Sequence, residues 1–232
     1  MSAEAHAADD HAPAVDDEGR PLSPQYHVAH HFDSADHQFA ANKLGIWLFL
    51  AQEIMFFSGL FCAFILFRAK YYDAFVEAHH HLDKVMGGIN TIVLICSSLT
   101  MALGVRAAQT NKRKLGVAML LMTFAFAATF LVIKYFEYHH KFHDHLLPGS
   151  HFAGEGFVHP EANIFFGIYF VMTGVHGVHV IVGMALILWI TVKMHRGRFS
   201  SRYYAPVEGV GLYWHLVDLI WIYLFPLLYL IG

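Results

Sequence analysis

The sequence predicts an all-α integral membrane protein, a bundle of five transmembrane helices. The 232-residue chain is 56% hydrophobic and 14% charged, whereas soluble domains average about 45–50% and 25%. Five apolar segments each reach the roughly 20 residues that a helix needs to cross the hydrocarbon core. In such segments the backbone must satisfy its own polar groups, which favours helices. An aromatic content of 16% excludes disorder for most of the chain, and a net charge of −3 argues against nucleic-acid binding.

Residues 1–42 are acidic, rich in Ala, Pro and His, and contain no apolar run. A secretory signal would need a basic start and a 7–15-residue apolar stretch. We therefore expect a polar, His-rich N-terminal tail over 1–42 and a membrane domain over 43–232.

The five predicted spans differ in length, and the fourth is long enough to tilt. They cover about 43–67, 85–108, 115–138, 162–192 and 210–231. Lys and Arg concentrate in the 106–114 and 193–209 connections, while the 68–84 and 140–161 connections are less basic. The positive-inside rule therefore predicts a cytoplasmic N-terminus and a C-terminus outside.

Glu53 lies near the middle of the first span, at a depth where a charge is costly. It could act as a proton-relay or gating carboxyl. It could instead be a hydrogen-bonded carboxyl that clamps its helix to a neighbour. The sequence favours the clamp, because no other acid lies at the same depth.

Two further pairs of polar residues share a helix face at a spacing of three. Lys134 and Glu137 are expected to form a structural ion pair in the third span. His215 and Asp218 occupy the same relationship in the last span, where they could hydrogen-bond.

The 19 histidines lie mostly in the tail and connections. Among those in the spans, His176 and His179 are on one helix and cannot sandwich a haem iron, so interhelical hydrogen bonds are favoured over ligation. No phosphate-binding glycine loop, CxxC, CxxCH or nucleophile elbow is present. We therefore expect no catalytic, cofactor or metal residue in this chain, apart from adventitious zinc or copper binding by tail and loop histidines.

Five segments, in order, resemble cytochrome c oxidase subunit III over about residues 40–232. They are KLGIWLFLAQEIMFF with its glutamate, GGINTIVLICSS, KYFEYHHK, FFGIYFVMTGVHGVHVIVG and VEGVGLYWHLVDLIWIYLFPLLYL. The last two carry the most specific motifs. The mitochondrial form has two additional helices before these, so the chain resembles the short, five-helix bacterial form.

The resemblance implies a non-redox subunit of a terminal respiratory oxidase in the bacterial cytoplasmic (inner) membrane. That enzyme reduces oxygen to water with electrons from cytochrome c and pumps protons. Subunit III stabilises subunit I, its main partner, and supports proton uptake. Subunit II, a small subunit IV and membrane lipids are further implied partners. Haem and copper are expected in the partner subunits, whereas this subunit could bind phospholipid. Glu53 matches the family's buried, carbodiimide-reactive carboxyl.

One hypothesis joins six residues into a polar network that fixes the bundle and the contact with subunit I. They are Glu53, His176, His179, Glu208, His215 and Asp218. One alternative function is subunit III of a quinol oxidase, or an accessory protein of nitric oxide reduction. Another, of a different class, is a His-ligated membrane cytochrome or a metal transporter.

Overall fold

The computed structural model describes residues 35–148, 157–201 and 203–230, and this part of the chain contains helices and no strand. Six α-helices follow one another and the last continues into a short π-helix. Their bounds are α1 Ala35–Lys70, α2 Tyr72–His79, α3 Lys84–Gln109, α4 Arg113–His143, α5 Ala162–His195 and α6 Ala205–Phe225, with the π-helix over Pro226–Leu230. Five of the helices are long and apolar enough to cross a membrane. The predicted all-α fold with five transmembrane helices is confirmed.

The largest departure from the predicted bounds is at the start of α1, and an additional helix lies in the connection that follows it. α1 begins at Ala35, inside the segment predicted as a tail, because its first residues include good helix formers and no Gly or Pro. Residues 1–34 of that predicted tail lie outside the described residues. The short helix α2 lies in the connection after α1. With eight residues it is far shorter than a span, so hydrophobic length did not reveal it.

Small residues allow the helices of the bundle to approach closely. The missing Cβ of Gly183 in α5 would lie 2.7 Å from the Trp214 ring of α6, and that of Gly116 in α4 would lie 2.5 Å from Met194 Sδ of α5. Trp214 itself is fully buried. By contrast, large apolar side chains such as Met55 are exposed on α1. Apolar side chains that face outward suit a protein surrounded by lipid.

The two ends of the bundle differ in chemistry. One, here called the basic end, carries Arg106, Lys112, Arg113, Lys193 and Arg196. Its two connections are joined by reciprocal hydrogen bonds. Ser201 N–H donates to Asn111 Oδ1 at 2.6 Å, and Asn111 Nδ2 donates to Ser201 Oγ at 3.2 Å. Asn111 has a positive φ of 58°, which asparagine tolerates better than most residues.

The opposite end, here called the His-rich end, carries α2 and the last turns of α4. Asp83 caps α3 by accepting hydrogen bonds from Val85 N–H at 2.9 Å and Met86 N–H at 3.1 Å. Phe75 attaches α2 to the bundle through edge-to-face contacts with Phe64 and Phe165. These contacts hold α2 against α1 and α5.

Candidate functional site

Glu53 of α1 and His179 of α5 form a hydrogen-bonded pair. Glu53 Oε2 lies 3.0 Å from His179 Nε2, and the side chains are 12% and 20% exposed. His179 Nδ1 lies 2.8 Å from the carbonyl oxygen of Val175, so Nδ1 carries a proton and donates it there. Nε2 then either accepts a hydrogen bond from a protonated Glu53 carboxyl group or, in a protonated imidazole, donates one to the Glu53 carboxylate. In both arrangements one hydrogen bond joins the two side chains.

The pair lies in the wall of a cavity of about 600 Å³ between α1, α5 and α6. Most of the lining is apolar, including Phe49 and Val182. Tyr213 of α6 also lines the cavity, and its hydroxyl donates to the carbonyl oxygen of His179 at 3.0 Å. The cavity thus places one hydrogen-bonded polar pair beside an apolar space on the side of α5 that faces α1.

Glu208 shares this cavity, towards the basic end. Its Oε1 lies 4.0 Å from Lys43 Nζ, and both side chains retain substantial exposure. At that distance and exposure the pair contributes little stability. Glu208 therefore neighbours the Glu53–His179 pair, while its ion-pair partner is Lys43.

A second polar cluster is buried in the half of the bundle nearer the His-rich end. Lys134 Nζ lies 3.0 Å from Glu137 Oε2, and it also donates to the hydroxyls of Tyr169 at 3.2 Å and Tyr229 at 2.8 Å. Both tyrosines in turn donate to Glu137 Oε1. Lys134 also lies 4.8 Å from the ring centre of Trp221. This cluster joins α4, α5 and the π-helix.

His176 is completely buried, and neither of its ring nitrogens has a hydrogen-bond partner among the described residues. Its ring packs 5.2 Å from Trp221 and 5.6 Å from Phe130, measured between centroids. The interhelical hydrogen bond expected for this histidine is wrong. Aromatic rings from α4 and α6 surround it and offer it packing contacts instead.

His215 and Asp218 do not hydrogen-bond to each other, so that prediction is also wrong. His215 Nδ1 lies 2.7 Å from Ser98 Oγ, which directs the imidazole towards α3. Asp218 is 2% exposed, and within the described part of the chain neither of its carboxyl oxygens has a hydrogen-bond partner.

The six residues of the predicted network therefore occupy separate places. Glu53 and His179 bond directly, and Glu208 shares their cavity. His215 is bonded to Ser98, and His176 and Asp218 are buried without hydrogen bonds among the described residues.

Several partners of these groups were missing from the sequence interpretation. Tyr169 and Tyr229 complete the Lys134–Glu137 cluster, but they lie 32 and 92 residues from Glu137. The only indication of these two partners in the sequence is that each is a tyrosine inside an apolar segment. Hydroxyl groups of α3 also accept hydrogen bonds from buried indoles. Trp214 Nε1, for example, donates to Ser97 Oγ at 2.9 Å.

Outside the spans, Glu77 of α2 holds the segment that leads into α5. It accepts hydrogen bonds from Val158 N–H at 2.7 Å and His159 N–H at 3.1 Å. The first of these backbone donors is the main reason that the pKa of Glu77 lies below its ordinary value of 4.5. Burial lowers the pKa of the neighbouring His79 below 6.5.

Comparison with known proteins identifies the family. Residues 28–232 match the family described as cytochrome c oxidase subunit III. The chain is 28% identical over 209 residues to proteins named "Probable quinol oxidase subunit 3" from Staphylococcus aureus (strain USA300) and from Staphylococcus epidermidis. Each alignment covers 89% of this chain and 96% of the relative. The family match spans all five membrane-crossing helices, so this protein belongs to the cytochrome c oxidase subunit III family of haem-copper oxidase subunits.

Proposed function

We propose that this chain is the non-redox, non-catalytic subunit III of a terminal oxidase that reduces oxygen to water and pumps protons. It stabilises the haem- and copper-bearing subunit I and supports proton uptake there. The observation that carries this proposal is the Glu53–His179 hydrogen bond, which joins α1 to α5 within two helices that can span the membrane. A group of this kind stabilises the bundle and can hold a proton at the same time.

The variant Glu53→Gln tests this role in the assembled oxidase. The amide can still hydrogen-bond to His179, but it cannot release or take up a proton. We expect subunit retention close to the wild type and a lower steady-state turnover or faster inactivation during turnover. Unchanged turnover, inactivation and retention together would remove both roles from Glu53.

The electron donor proposed here is a quinol, because the named relatives are quinol oxidase subunits. The sequence alone had favoured cytochrome c, which remains the second candidate on the family's description. Oxygen consumption by the purified complex with reduced quinol, compared with reduced cytochrome c, separates the two. A copper-binding domain in the co-purifying subunit II would favour cytochrome c, and its absence would favour quinol.

The partners and placement of the chain are part of the same proposal. Subunit I is the main contact, with subunit II, a small subunit IV and membrane lipids as others, in the bacterial cytoplasmic membrane. The basic end faces the cytoplasm by the positive-inside rule, which leaves the His-rich end outside. Extraction in mild detergent should recover this chain with a haem-copper subunit. A cysteine at Ser201 should react with a membrane-impermeant maleimide only after the membrane is opened.

A further inference from the structure

The His-rich end contains a pocket, here called the His-rich pocket, that the proposed function does not use. It has a volume of about 900 Å³ and lies between the turn after α2 and the last turns of α4. Its potential metal ligands come from both sides and include five imidazoles. They are His80, His81, Asp83, His139, His140 and His143.

Two of these imidazoles form a spacing that suits metal binding. His139 and His143 lie four residues apart on α4, so they lie one above the other on one helix face. Two histidines at this helical spacing are a common zinc-binding pair. Both side chains are exposed and can change rotamer to meet an ion. His140, between them, is instead 3.4 Å from Asp144.

The turn between α2 and α3 supplies donors on the opposite wall. Asp83 uses Oδ1 for both of its capping hydrogen bonds, so the cap does not occupy Oδ2. His80 is exposed, and its ring lies tilted against that of the buried His79, 4.0 Å away between ring centroids. His81 contacts Phe157 and lies near the carbonyl of Glu77, which makes it the more constrained of the two histidines.

We propose that the His-rich pocket binds a divalent transition-metal ion of the zinc class through His139, His143 and a donor from the turn, His80 or Asp83. Nitrogen and carboxylate oxygen are ligands that zinc accepts in a four-coordinate site. In the described residues no three such side chains already surround one point. Binding therefore requires exposed side chains to rotate, and the ion then links α4 to the α2–α3 turn.

The other walls of the pocket indicate which part of the structure such an ion would stabilise. Glu137 and Lys141 both line it and both are buried. Lys141 already donates to the carbonyl oxygen of His81 at 3.3 Å, across the same gap that the ion would span. The metal would thus reinforce an existing contact, at one end of the buried Lys134–Glu137 cluster.

The test uses the purified oxidase complex and Zn²⁺ alone as the probe. Histidines in the tail would compete, so the background carries Gln at His6, His11, His27, His30, His31 and His37. Zinc binding is measured by equilibrium dialysis for this background, for His139→Gln/His143→Gln and for the control His195→Gln, an exposed histidine at the basic end. We expect about one zinc per subunit III, bound at least about tenfold more weakly in the double variant and equally in the control.

Two results would overturn the proposal. One is equal zinc affinity and stoichiometry in the background and the double variant, which would mean adventitious binding only. The other comes from the complex without the α4 substitutions and does not depend on how the variants assemble. There, zinc should protect His139 and His143 from acylation by diethyl pyrocarbonate, read out by peptide mass spectrometry. Equal modification with and without zinc excludes the site.

Discussion

The ring of Trp214 lies against the backbone of Gly183, so close that a methyl group on that glycine would come within 2.7 Å of two ring carbons. This contact brings α5 and α6 together next to the Glu53–His179 pair, because Tyr213 beside the indole donates to the carbonyl of His179. A side chain at residue 183 must therefore move α6 or turn the indole away from its Ser97 partner.

Gly183→Ala is expected to lower the free energy of unfolding of the complex by about 1–3 kcal/mol through overpacking. The temperature at which subunit III dissociates from the complex in detergent measures this loss of stability. The matched control is Gly177→Ala in the same helix, where nothing lies within 4 Å of the added methyl group. That change should be neutral or stabilising by up to about 1 kcal/mol, since alanine favours the helix. Equal stability of the two variants contradicts the prediction.

Breaking the Lys134–Glu137 pair should be far more harmful than removing both charges. Lys134→Met leaves Glu137 with a buried, unpaired charge, and we expect a loss of about 3–5 kcal/mol. The double change Lys134→Met/Glu137→Leu should cost less than Lys134→Met alone, because no unpaired charge is left buried. Glu208→Gln, which breaks the half-exposed contact with Lys43, should cost about 0–1 kcal/mol. Retention of subunit III in the complex, compared among these variants and the wild type, measures all of these costs.

The Glu53–His179 hydrogen bond should give a measurable coupling energy. Hydrogen bonds between membrane helices are worth about 0.6 kcal/mol on average and up to about 1.7. Combining Glu53→Leu with His179→Leu in a cycle should give a coupling in this range. The same cycle between Glu53 and His176, which packs on rings without a hydrogen bond in the described structure, should give about zero. Similar coupling energies in both cycles would show that the coupling does not come from the Glu53–His179 hydrogen bond.

Acidification should loosen the His-rich end through Glu77. Because the folded-state pKa of this carboxyl is lowered, its stabilising effect is present above 4.5 and is lost as the pH falls through the lower folded value. The lowered pKa of His79 acts in the same direction at pH values below 6.5, because the folded state resists protonation. Amide exchange at Val158 and His159, corrected for intrinsic rates, should therefore accelerate at low pH.

Glu77→Gln provides the control for that measurement. The amide oxygen can accept only part of the bonding that the carboxylate accepts, so exchange at Val158 and His159 should be faster at neutral pH. Its remaining change with pH should also be smaller than in the wild type. If amide exchange in Glu77→Gln changed with pH as much as in the wild type, groups other than Glu77 would be responsible for that change.

Most of the fold followed from hydrophobic length, whereas the contacts between helices did not. A run of apolar residues predicts a span because the bilayer fixes its length. Nothing in the sequence places Glu53 beside His179, 126 residues later, rather than beside His176, one turn away. Spacing correctly suggested that Lys134 and Glu137 share a face, because that relationship lies within one helix. It failed for His215 and Asp218, where a hydroxyl on another helix competes for the imidazole.

The way in which α1 is attached sets an order for the biosynthesis of the protein. α1 is made before the other four spans described here, yet two residues that hold it, His179 and Tyr213, are made more than a hundred residues later. During that interval its glutamate enters the bilayer without its imidazole partner. We therefore expect α1 to dock last, onto α5 and α6, and newly made chains to pass through a stage in which Glu53 still lacks His179.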